Sequence, residues 1–465
     1  MSAMFRSFSN INYRIWFAGA LVSNIGGWMQ ATAQDWVVLT ELTDNDATAM
    51  GVTMALQFAP PLVLVSLTGW VADRFDRRRI LLVTQSALLL LAIAVGALLL
   101  SGVMTLPMML AFALGFGIVN AFDAPARQAF VSDMVSAGET SNAVALNSAS
   151  FNLARMIGPA VGGLLIVAIG SGWVFIVNAA TFLAMILALL VMRRGLLAPR
   201  PKGRTRGGLA AGFSYVWGRS DLRVVFFTVF LIGAFGMNFP IFASTMALEF
   251  GQGADGYGVL SSVLAIGSLA GALLAARREQ ARVRVVILAA GGYGVAALVS
   301  SMMPSYLLYA ITLTFTGFMI VTLLTTANGY VQVTTPPALR GRVLALYMAV
   351  IMGSTPIGAP IAGWVADAFG PRVAIMLGAA SGLIACAIGV IWVATSGRLH
   401  RRDDRRFGLT LDETRPLQVI DADPLEFSDQ AAVTTPIRLH GGRDIDTDSD
   451  PRAGRDARDP RDTDR

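Results

Sequence analysis

The sequence predicts an all-α membrane protein in which twelve transmembrane helices form two pseudo-symmetric halves of six. Of its 465 residues, 55% are hydrophobic and 14% are charged, whereas soluble proteins carry about 25% charged residues. The apolar residues gather into twelve runs, and a helix needs about 20 residues to cross a hydrocarbon core about 30 Å thick. Motifs of the first half also recur in the second half.

The twelve apolar runs are the predicted spans. The first run is too long for a cleavable signal peptide and eleven more follow it, so we expect it to act as an uncleaved insertion signal. The runs cover residues 15–39, 49–72, 80–101, 104–123, 143–169, 173–192, 224–248, 256–276, 285–303, 306–326, 343–369 and 373–395.

The charges of the connections predict the orientation, because Arg and Lys next to a span stay in the cytoplasm. Connections that follow even-numbered spans hold Arg74, Arg77, Arg78, Arg79, Arg127, Arg193, Arg194, Arg200, Lys202, Arg204, Arg206, Arg277, Arg278, Arg282, Arg284, Arg340 and Arg342. The opposite connections hold Glu41, Asp44, Asp46, Glu249, Asp255 and a single cation, Arg372. Both termini are therefore predicted to be cytoplasmic. These basic runs indicate topology and solvated faces, so we expect no nucleic-acid partner.

Composition divides the chain into four parts. Two six-helix halves, 1–192 and 224–396, flank a linker at 193–223 that is rich in Pro, Gly and Arg. Within the linker Leu209, Phe213, Val216 and Trp217 share one helical face, which is typical of a short helix lying on the membrane surface. Residues 397–465 carry 13 Arg and 16 acidic residues. This tail has too few apolar residues for a core, so it is predicted to be disordered.

An internal repeat supports the two halves, since duplicated six-helix units recur among transporters. Sliding the sequence by 200 residues superposes the fifth and eleventh predicted spans. The matching pairs include Ala145 with Ala345, Leu146 with Leu346, Ala149 with Ala349, Ile157 with Ile357, Gly158 with Gly358 and Gly163 with Gly363.

The shortage of Cys and His narrows the chemistry of the membrane body. A single Cys, Cys386, excludes an intrachain disulfide and a Cys-based metal site. Both histidines, His400 and His440, lie in the tail, so the body has no imidazole for metal binding or proton relay. The chain also lacks the G-x-x-x-x-G-K-[ST] loop that binds ATP. We therefore predict no cofactor, no metal and no enzymatic activity.

Several motifs resemble those of the major facilitator superfamily. GWVADRFDRR at 69–78 resembles its G-x-x-x-D-R-x-G-R-R/K signature, and GPAVGG at 158–163 resembles the core of its antiporter motif. SNIGGWMQ at 23–30, DAPARQ at 123–128 and LRGRV at 339–343 are similar to its exporter group of enterobactin exporters and transmembrane secretion effectors. The resemblance covers residues 10 to 395.

The resemblance implies a carrier whose halves rock to expose a central cavity to one side at a time. Gly69, Asp73, Arg74 and Arg77 would then fasten the cytoplasmic side while the cavity faces outward. Two positions depart from the family pattern. Asp76 replaces the usual Gly, and Ala111 stands where proton antiporters carry an Arg.

The predicted fifth span contains a glycine-rich stretch. Proline removes a helix hydrogen bond and glycine lets backbones approach closely, so Gly158, Pro159, Gly162 and Gly163 predict a bent, closely packed seam. Ordinary helix packing explains the same residues equally well.

Ionisable groups inside spans are costly and therefore point to function. Asp35 and Arg155 are the two that fall well inside the predicted spans, with no other carboxylate as deep. We interpret Asp35 as the proton-coupling site and Arg155 as its possible charge partner. The alternatives are an interfacial position for Asp35 and pairing of Arg155 with a carbonyl freed by Pro159.

Polar and aromatic residues in spans are candidates for the substrate cavity. Asn24, Trp28 and Asp35 share one face of the first span, and Gln34 lies beside it. Asn152 shares a face with Arg155. The substrate-cavity candidates are Asn24, Trp28, Gln34, Asn152 and Asn238.

Together, these features predict a monomeric secondary transporter of the bacterial inner membrane. The favoured function is proton-coupled export of a small amphipathic compound such as a drug or siderophore. An importer or uniporter of the same fold is the alternative. A polytopic membrane enzyme and a membrane sensor signalling through its tail are the other classes considered.

Overall fold

Helices form over the apolar runs in the computed structural model, which describes residues 3–136, 138–193, 209–278, 280–396, 399–401 and 409–411. A 3₁₀ helix over Ala3–Ser9 precedes the first half. That half contains α1 (Ile11–Trp36), α2 (Ala47–Val63), α3 (Val65–Arg74), α4 (Arg77–Leu100), α5 (Leu106–Asp133), α6 (Thr140–Ile169) and α7 (Ser171–Val191). A π-helical turn over Val37–Glu41 extends α1.

The second half follows a short linker helix. The elements are α8 (Leu209–Gly218), α9 (Ser220–Leu231), a π-helical turn (Ile232–Gly236), α10 (Phe239–Glu249), α11 (Ala254–Ala276), α12 (Val283–Ser301), α13 (Tyr306–Thr334), α14 (Pro337–Phe369) and α15 (Pro371–Thr395). Strands β1 (Leu399–Arg401) and β2 (Leu409–Leu411) then pair antiparallel. The rest of the predicted disordered tail, 397–465, lies outside the described residues.

Ten helical segments of the described part are long and apolar enough to cross a membrane. The other two predicted spans correspond to α1 and to the α2–α3 pair. The first is long enough but carries several amides and Asp35, and the second is broken at Leu64 into pieces of 17 and 10 residues. The membrane body is all-helical, as expected, while the count of twelve spans rests on including these two.

Several helices extend beyond the apolar runs that predicted them. Helix α5 reaches Asp133, α13 reaches Thr334, and α14 begins at Pro337. An apolar run ends at the first charge, but a helix continues wherever its polar residues meet water or a partner side chain. These helices are therefore longer than the apolar runs that end at 123 and 326 and that begin at 343.

Side-chain caps define several helix starts. Asn10 accepts from the Asn12 N–H at the start of α1, and Asp46 accepts from the Ala49 N–H at the start of α2. Asp76 accepts from the Arg79 N–H at 3.0 Å and begins α4. Each cap satisfies an N–H that has no partner inside its helix.

The turns that end α6 and α14 share one backbone conformation. Gly170 has φ 89° and ψ 155°, and Gly370, 200 positions later, has φ 92° and ψ 159°. Only glycine adopts such a conformation without steric cost. The repeat seen in the sequence therefore extends to the geometry of these tight turns.

Helix packing follows the two halves. In the first, α1 packs on α6 and α7, α2 on α5, and α4 on α5 and α7. In the second, α11 packs on α13, and α12 packs on α13 and α15. The halves meet where α2 packs on α14 and α6 packs on α11.

The two ends of the bundle differ in charge. We call the end with the connections at 42–46, 250–253 and 370 the acidic end, since Asp44, Asp46, Glu249, Asp255 and Asp367 lie there. The opposite end, with the connections at 75–76, 277–282 and 335–336, is called the basic end. These names carry no statement about the side of the membrane.

The span formed by α9 and α10 is broken in its middle, and its freed carbonyls find new donors. Asn238 Nδ2 donates to the Ala234 carbonyl at 2.6 Å. Tyr293 Oη of α12 donates to the Gly236 carbonyl at 3.0 Å. Both side chains are buried. The break therefore leaves neither carbonyl without a partner inside the membrane.

Helix α8 lies in the predicted linker, of which residues 194–208 are outside the described part. Its Gly212 lies against Arg342 of α14, and Val216 is buried. Phe213 and Trp217 stack on each other with ring centroids 5.5 Å apart and are exposed. The helix thus has a face on α14 and an aromatic face directed away from the protein.

The orientation can be tested with cysteines at the two ends. In a chain with Cys386 replaced by Ser, we expect Asp44→Cys and Asp255→Cys to react with an impermeant thiol reagent added to intact cells. Arg79→Cys and Arg340→Cys should react only after the membrane is permeabilised, because basic connections stay in the cytoplasm. The reverse pattern would overturn the predicted orientation.

Candidate functional site

Glycines bring the two halves into backbone contact at the acidic end. A side chain at Gly163 of α6 would meet the Ala254 carbonyl of α11, and one at Gly258 of α11 would meet the Pro159 carbonyl. The α2–α14 contact between the halves is similar, since Gly51 of α2 lies against the Ala359 carbonyl of α14. No larger residue fits between backbones this close. The acidic end is therefore sealed in this conformation.

The glycine of the signature motif at the basic end is in a different environment. Apart from its own helix backbone and its chain neighbours, no atom of the described residues lies within 4 Å of a Cβ placed on Gly69. The neighbouring Trp70 is 52% exposed. The motif glycine thus faces open space, while the corresponding contacts at the acidic end are closed.

Asp35 joins the two halves through a hydrogen bond. It is 8% exposed and accepts from Tyr257 Oη of α11 at 2.8 Å. The Tyr257 ring stacks on Trp36, the residue after Asp35, with centroids 6.4 Å apart. The carboxyl therefore lies at the contact between α1 and α11, where relative movement of the halves would change its surroundings.

Arg155 contacts the aromatic face of Trp28. Its guanidinium carbon lies 5.8 Å from the Trp28 ring centroid, and Phe151 meets the same ring edge to face at 5.8 Å. No carboxylate of the described residues lies within ion-pair distance of Arg155. Asp35 is two helical turns beyond Trp28, about 10 Å along α1, so the pair considered from the sequence is not formed here.

The five cavity candidates fall into two groups. Asn24, Trp28 and Asn152 are partly accessible, and Asn152 donates to the Ser148 carbonyl at 2.8 Å. Gln34 and Asn238 are almost completely buried. Gln34 donates to Gln57 Oε1 at 3.2 Å, and its own Oε1 has no partner among the described residues. Gln34 and Asn238 are therefore closed off in this conformation.

The seam residues of α6 lie against α1 as well as α11. Gly158 lies against the Trp28 Cβ, and Gly162 lies against the backbone of Met29. Gly163 and Pro159 contact α11 as described above. The stretch thus holds α6 between α1 of its own half and α11 of the other.

The predicted second span ends at residue 72, just before the signature acid, but the helix continues through it. Asp73 is in the last turn of α3 and not in a loop, since only Phe75 and Asp76 separate α3 from α4. Its side chain lies outside the described part. Arg74 stacks over Trp70 at 5.7 Å, and Arg77 pairs with Asp133 of α5 at 2.6 Å. The role of these residues as a cytoplasmic gate stays a prediction.

Asp35 is not the only buried carboxylate within a helix of the membrane body, although the sequence singled out no other. Asp123 lies inside α5 and is 4% exposed. It accepts from Thr84 Oγ1 at 2.6 Å and Gln85 Nε2 at 2.8 Å, and it pairs with Arg127 at 3.0 Å. Arg127 is correspondingly a helix residue and not a connection residue. The four-residue spacing of Asp123 and Arg127 was the signal that could have revealed this pair.

A second missed carboxylate lies where α9 begins. Asp221 is 3% exposed and pairs with Arg219, and Tyr330 Oη of α13 donates to it at 2.7 Å. Among the described residues, Tyr257 is a functional candidate that no sequence pattern indicated. Its importance depends on the meeting of α1 with α11, which no local pattern encodes.

A comparison with protein families identifies the chain. The model of the family described as transmembrane secretion effector matches residues 2–401. The chain belongs to this family of major facilitator transporters.

Relatives of this transporter include siderophore and drug transporters. The staphyloferrin A transporter of Staphylococcus aureus is 25% identical over 77% of this chain and 90% of its own length. The multidrug efflux pump Tap of Mycolicibacterium fortuitum is 29% identical over 76% and 88%. The enterobactin exporter EntS of Escherichia coli O1:K1 is 23% identical over 78% and 87%. The protein is thus a multi-pass bacterial membrane transporter and not an enzyme.

Solved structures share the fold of this transporter. A bacterial homologue of the human lysosomal transporter Spinster, inward-facing and occupied, gives a TM-score of 0.66 at 14% identity over 85% of this chain and 98% of its own. A D-xylose–proton symporter gives 0.63 at 13% identity over 80% and 97%. At such identities the likeness establishes the major facilitator fold alone.

The Asp123 network is expected to stabilise this transporter. Asp123→Ala leaves the partly buried Arg127 without its carboxylate partner, and breaking one side of a fully buried pair costs about 3–5 kcal/mol, so a smaller cost is expected here. The melting temperature of the purified protein should therefore fall clearly. The fall in melting temperature of the double variant, Asp123→Ala with Arg127→Ala, should be smaller than the sum of the falls of the two single variants. Additive losses would show that the two residues do not act as a pair.

Proposed function

We propose that this transporter is a proton-coupled exporter of a small amphipathic compound that works by alternating access. It would lie in the bacterial inner membrane as a monomer, with the basic end and both termini in the cytoplasm. The hydrogen bond between Asp35 and Tyr257 is the observation that carries the proposal. It connects a titratable carboxyl to the contact between the two halves.

The direction of access follows from the two ends of the bundle. The acidic end is sealed by backbone contacts, and Gly69 at the basic end faces open space. With the basic end in the cytoplasm, the structure would represent an inward-facing conformation. That conformation is the one in which an exporter takes up its substrate.

Proton coupling requires a site whose proton affinity differs between two conformations. In the sealed conformation Asp35 is buried and bonded to Tyr257 of the opposite half. Opening the acidic end would separate α1 from α11 and replace this bond by water. The proton affinity of Asp35 would thus change with the conformation. This is the linkage through which a proton gradient can drive transport.

The surroundings of Arg155 favour a substrate with an anionic group and an apolar part. A cation inside the membrane is costly without a partner, and no described carboxylate neutralises Arg155. The adjacent rings of Trp28 and Phe151 offer apolar contact area. An acidic, partly aromatic compound would supply both the missing charge and the apolar surface.

An importer of the same fold is the alternative, since the geometry of the seal does not define the direction of net transport. An exporter and an importer differ in the direction in which the proton gradient moves the substrate. An exporter loads at the basic end and releases at the acidic end against an inward flow of protons. Accumulation in inside-out vesicles, measured with acidic vesicle lumen, separates them.

Replacement of Asp35 tests proton coupling. Asp35→Asn removes the titratable group but keeps an oxygen that can accept from Tyr257. We expect gradient-driven accumulation in proteoliposomes to fall at least tenfold, while downhill exchange of the same compound continues.

Tyr257→Phe is the matched control, because it removes the hydrogen bond and keeps the carboxyl. It should retain gradient-driven accumulation at a reduced rate. Uphill transport by Asp35→Asn at the wild-type rate would exclude Asp35 as the coupling site.

Arg155 is expected to determine the preference for anionic compounds. Arg155→Gln should raise KM for an acidic aromatic compound about tenfold or more, since a charge-assisted hydrogen bond contributes about 1.5–3 kcal/mol. KM for the neutral amide of the same compound should change little. Arg155→Lys should give an intermediate value. Equal effects on the acid and the amide would contradict this assignment.

A further inference from the structure

The pentapeptide GWVAD occurs twice in the chain, at 69–73 at the end of α3 and at 363–367 near the end of α14. The α2–α3 span and α14 pack antiparallel, since Gly51 lies against Ala359 and Gly353 lies against Leu62. The first copy is at the basic end and the second copy is at the acidic end. The first copy therefore lies near the start of α14, and the second copy lies near the start of α2.

The two glycines of the repeat differ in packing, since Gly363 at the acidic end is in close contact and Gly69 at the basic end is not. A Cβ on Gly363 would meet the carbonyl of Ala47 and the backbone of Thr48, at the start of α2. A Cβ on Gly69 would meet no atom of the described part of the chain within 4 Å. One copy is therefore closed on its partner span while the other is open.

The acid of the closed copy makes three hydrogen bonds to the opposite half. Asp367 Oδ1 accepts from the Ala47 N–H at 2.8 Å, and Oδ2 accepts from the Thr48 N–H at 2.8 Å. Thr48 Oγ1 donates to Oδ2 at 2.5 Å. These bonds are charge-assisted, which makes them stronger than bonds between neutral groups.

The start of α2 needs both halves to satisfy its N–H groups. Asp46, the residue before α2, accepts from the Ala49 N–H at 2.8 Å. Asp367 satisfies the Ala47 and Thr48 N–H groups, which have no partner within α2. A carboxylate is also favoured at this helix end by the partial positive charge of the aligned peptide dipoles.

We propose that Asp367 is the gate residue of the acidic end and holds this conformation closed by capping α2 from the opposite half. Opening the acidic end would replace its three hydrogen bonds by water. The repeat places Asp73 at the other end of the same helix pair. The α2–α14 contact would thus carry one acidic gate at each end, engaged in alternate conformations.

The repeat also indicates that the α6–α11 contact has no counterpart of this gate. The position 200 residues before Asp367 is Val167 of α6. An apolar side chain cannot cap α11 as Asp367 caps α2. The α6–α11 contact therefore closes without a carboxylate cap at this position.

The opening of the acidic end can be measured directly. Met50 of α2 is fully buried and accepts a hydrogen bond from Ser244 of α10 in the opposite half. In a Cys386→Ser background, Met50→Cys should react with a soluble thiol reagent only when the halves part at this end. Purified full-length protein in nanodiscs makes both ends accessible, so neither substrate nor orientation enters the measurement.

Asp367→Asn should raise the modification rate of Met50→Cys about tenfold, a shift of about 1.4 kcal/mol in the conformational equilibrium. Thr48→Val, which removes one donor and keeps the carboxylate, should raise it about two- to threefold. Asp44→Asn removes the same charge from the same end, and the described structure gives Asp44 no bond to α2. In the Asp44→Asn variant, the modification rate of Met50→Cys should stay at the value measured without that substitution.

An unchanged rate in Asp367→Asn, or an equal increase in Asp44→Asn, would overturn the proposal. If Asp367→Asn does not fold, the Thr48→Val result decides, since an unchanged rate there contradicts a capping role. The measurement involves no proton gradient. Failure of proton coupling at Asp35 and failure of this gate are thus distinguishable.

Discussion

Backbone contact between the halves at the acidic end is the constraint on which the rest of the structure depends. Glycine is the residue that allows it, because any larger side chain at Gly51, Gly163 or Gly258 would separate the helices. With the helices this close, Asp35 reaches Tyr257 and Asp367 reaches the start of α2. The polar contacts between the halves are therefore consequences of an apolar one.

The buried carboxylates of the membrane body differ in the kind of partner they have. Asp123 of α5 accepts hydrogen bonds from Thr84 and Gln85 of α4, which join these two helices, and it pairs with Arg127 of its own helix. Asp221 is held in the same way by Arg219 and Tyr330 of the second half. Asp35, which is also buried, and Asp367, which is exposed, bond across the halves instead. Carboxylates satisfied within one half stabilise it, whereas those bonded across the boundary are exposed to any change in its conformation.

The sequence was sufficient for the all-helical fold, the family, and the choice of Asp35 and the α6 glycines for attention. Hydropathy and motif spacing are local properties, and these features depend on local properties. Tyr257 was missed because its significance arises only when α11 meets α1. Asp123 was missed because the apolar run of α5 ends at that residue, although the helix continues to Asp133. The repeated GWVAD was visible in the sequence, but its meaning required knowing that the two copies lie at opposite ends of one helix pair.

The break between α9 and α10 has a mechanical consequence. In hydrocarbon, a helix that bends ordinarily loses hydrogen bonds, and each unsatisfied backbone group costs several kcal/mol. Here the Ala234 carbonyl is already bonded to Asn238 of the same span, and the Gly236 carbonyl is bonded to Tyr293 of α12. Changes in curvature at this point therefore need not expose a peptide group to lipid. Because Tyr293 belongs to α12, a change in the bend is also transmitted to that helix.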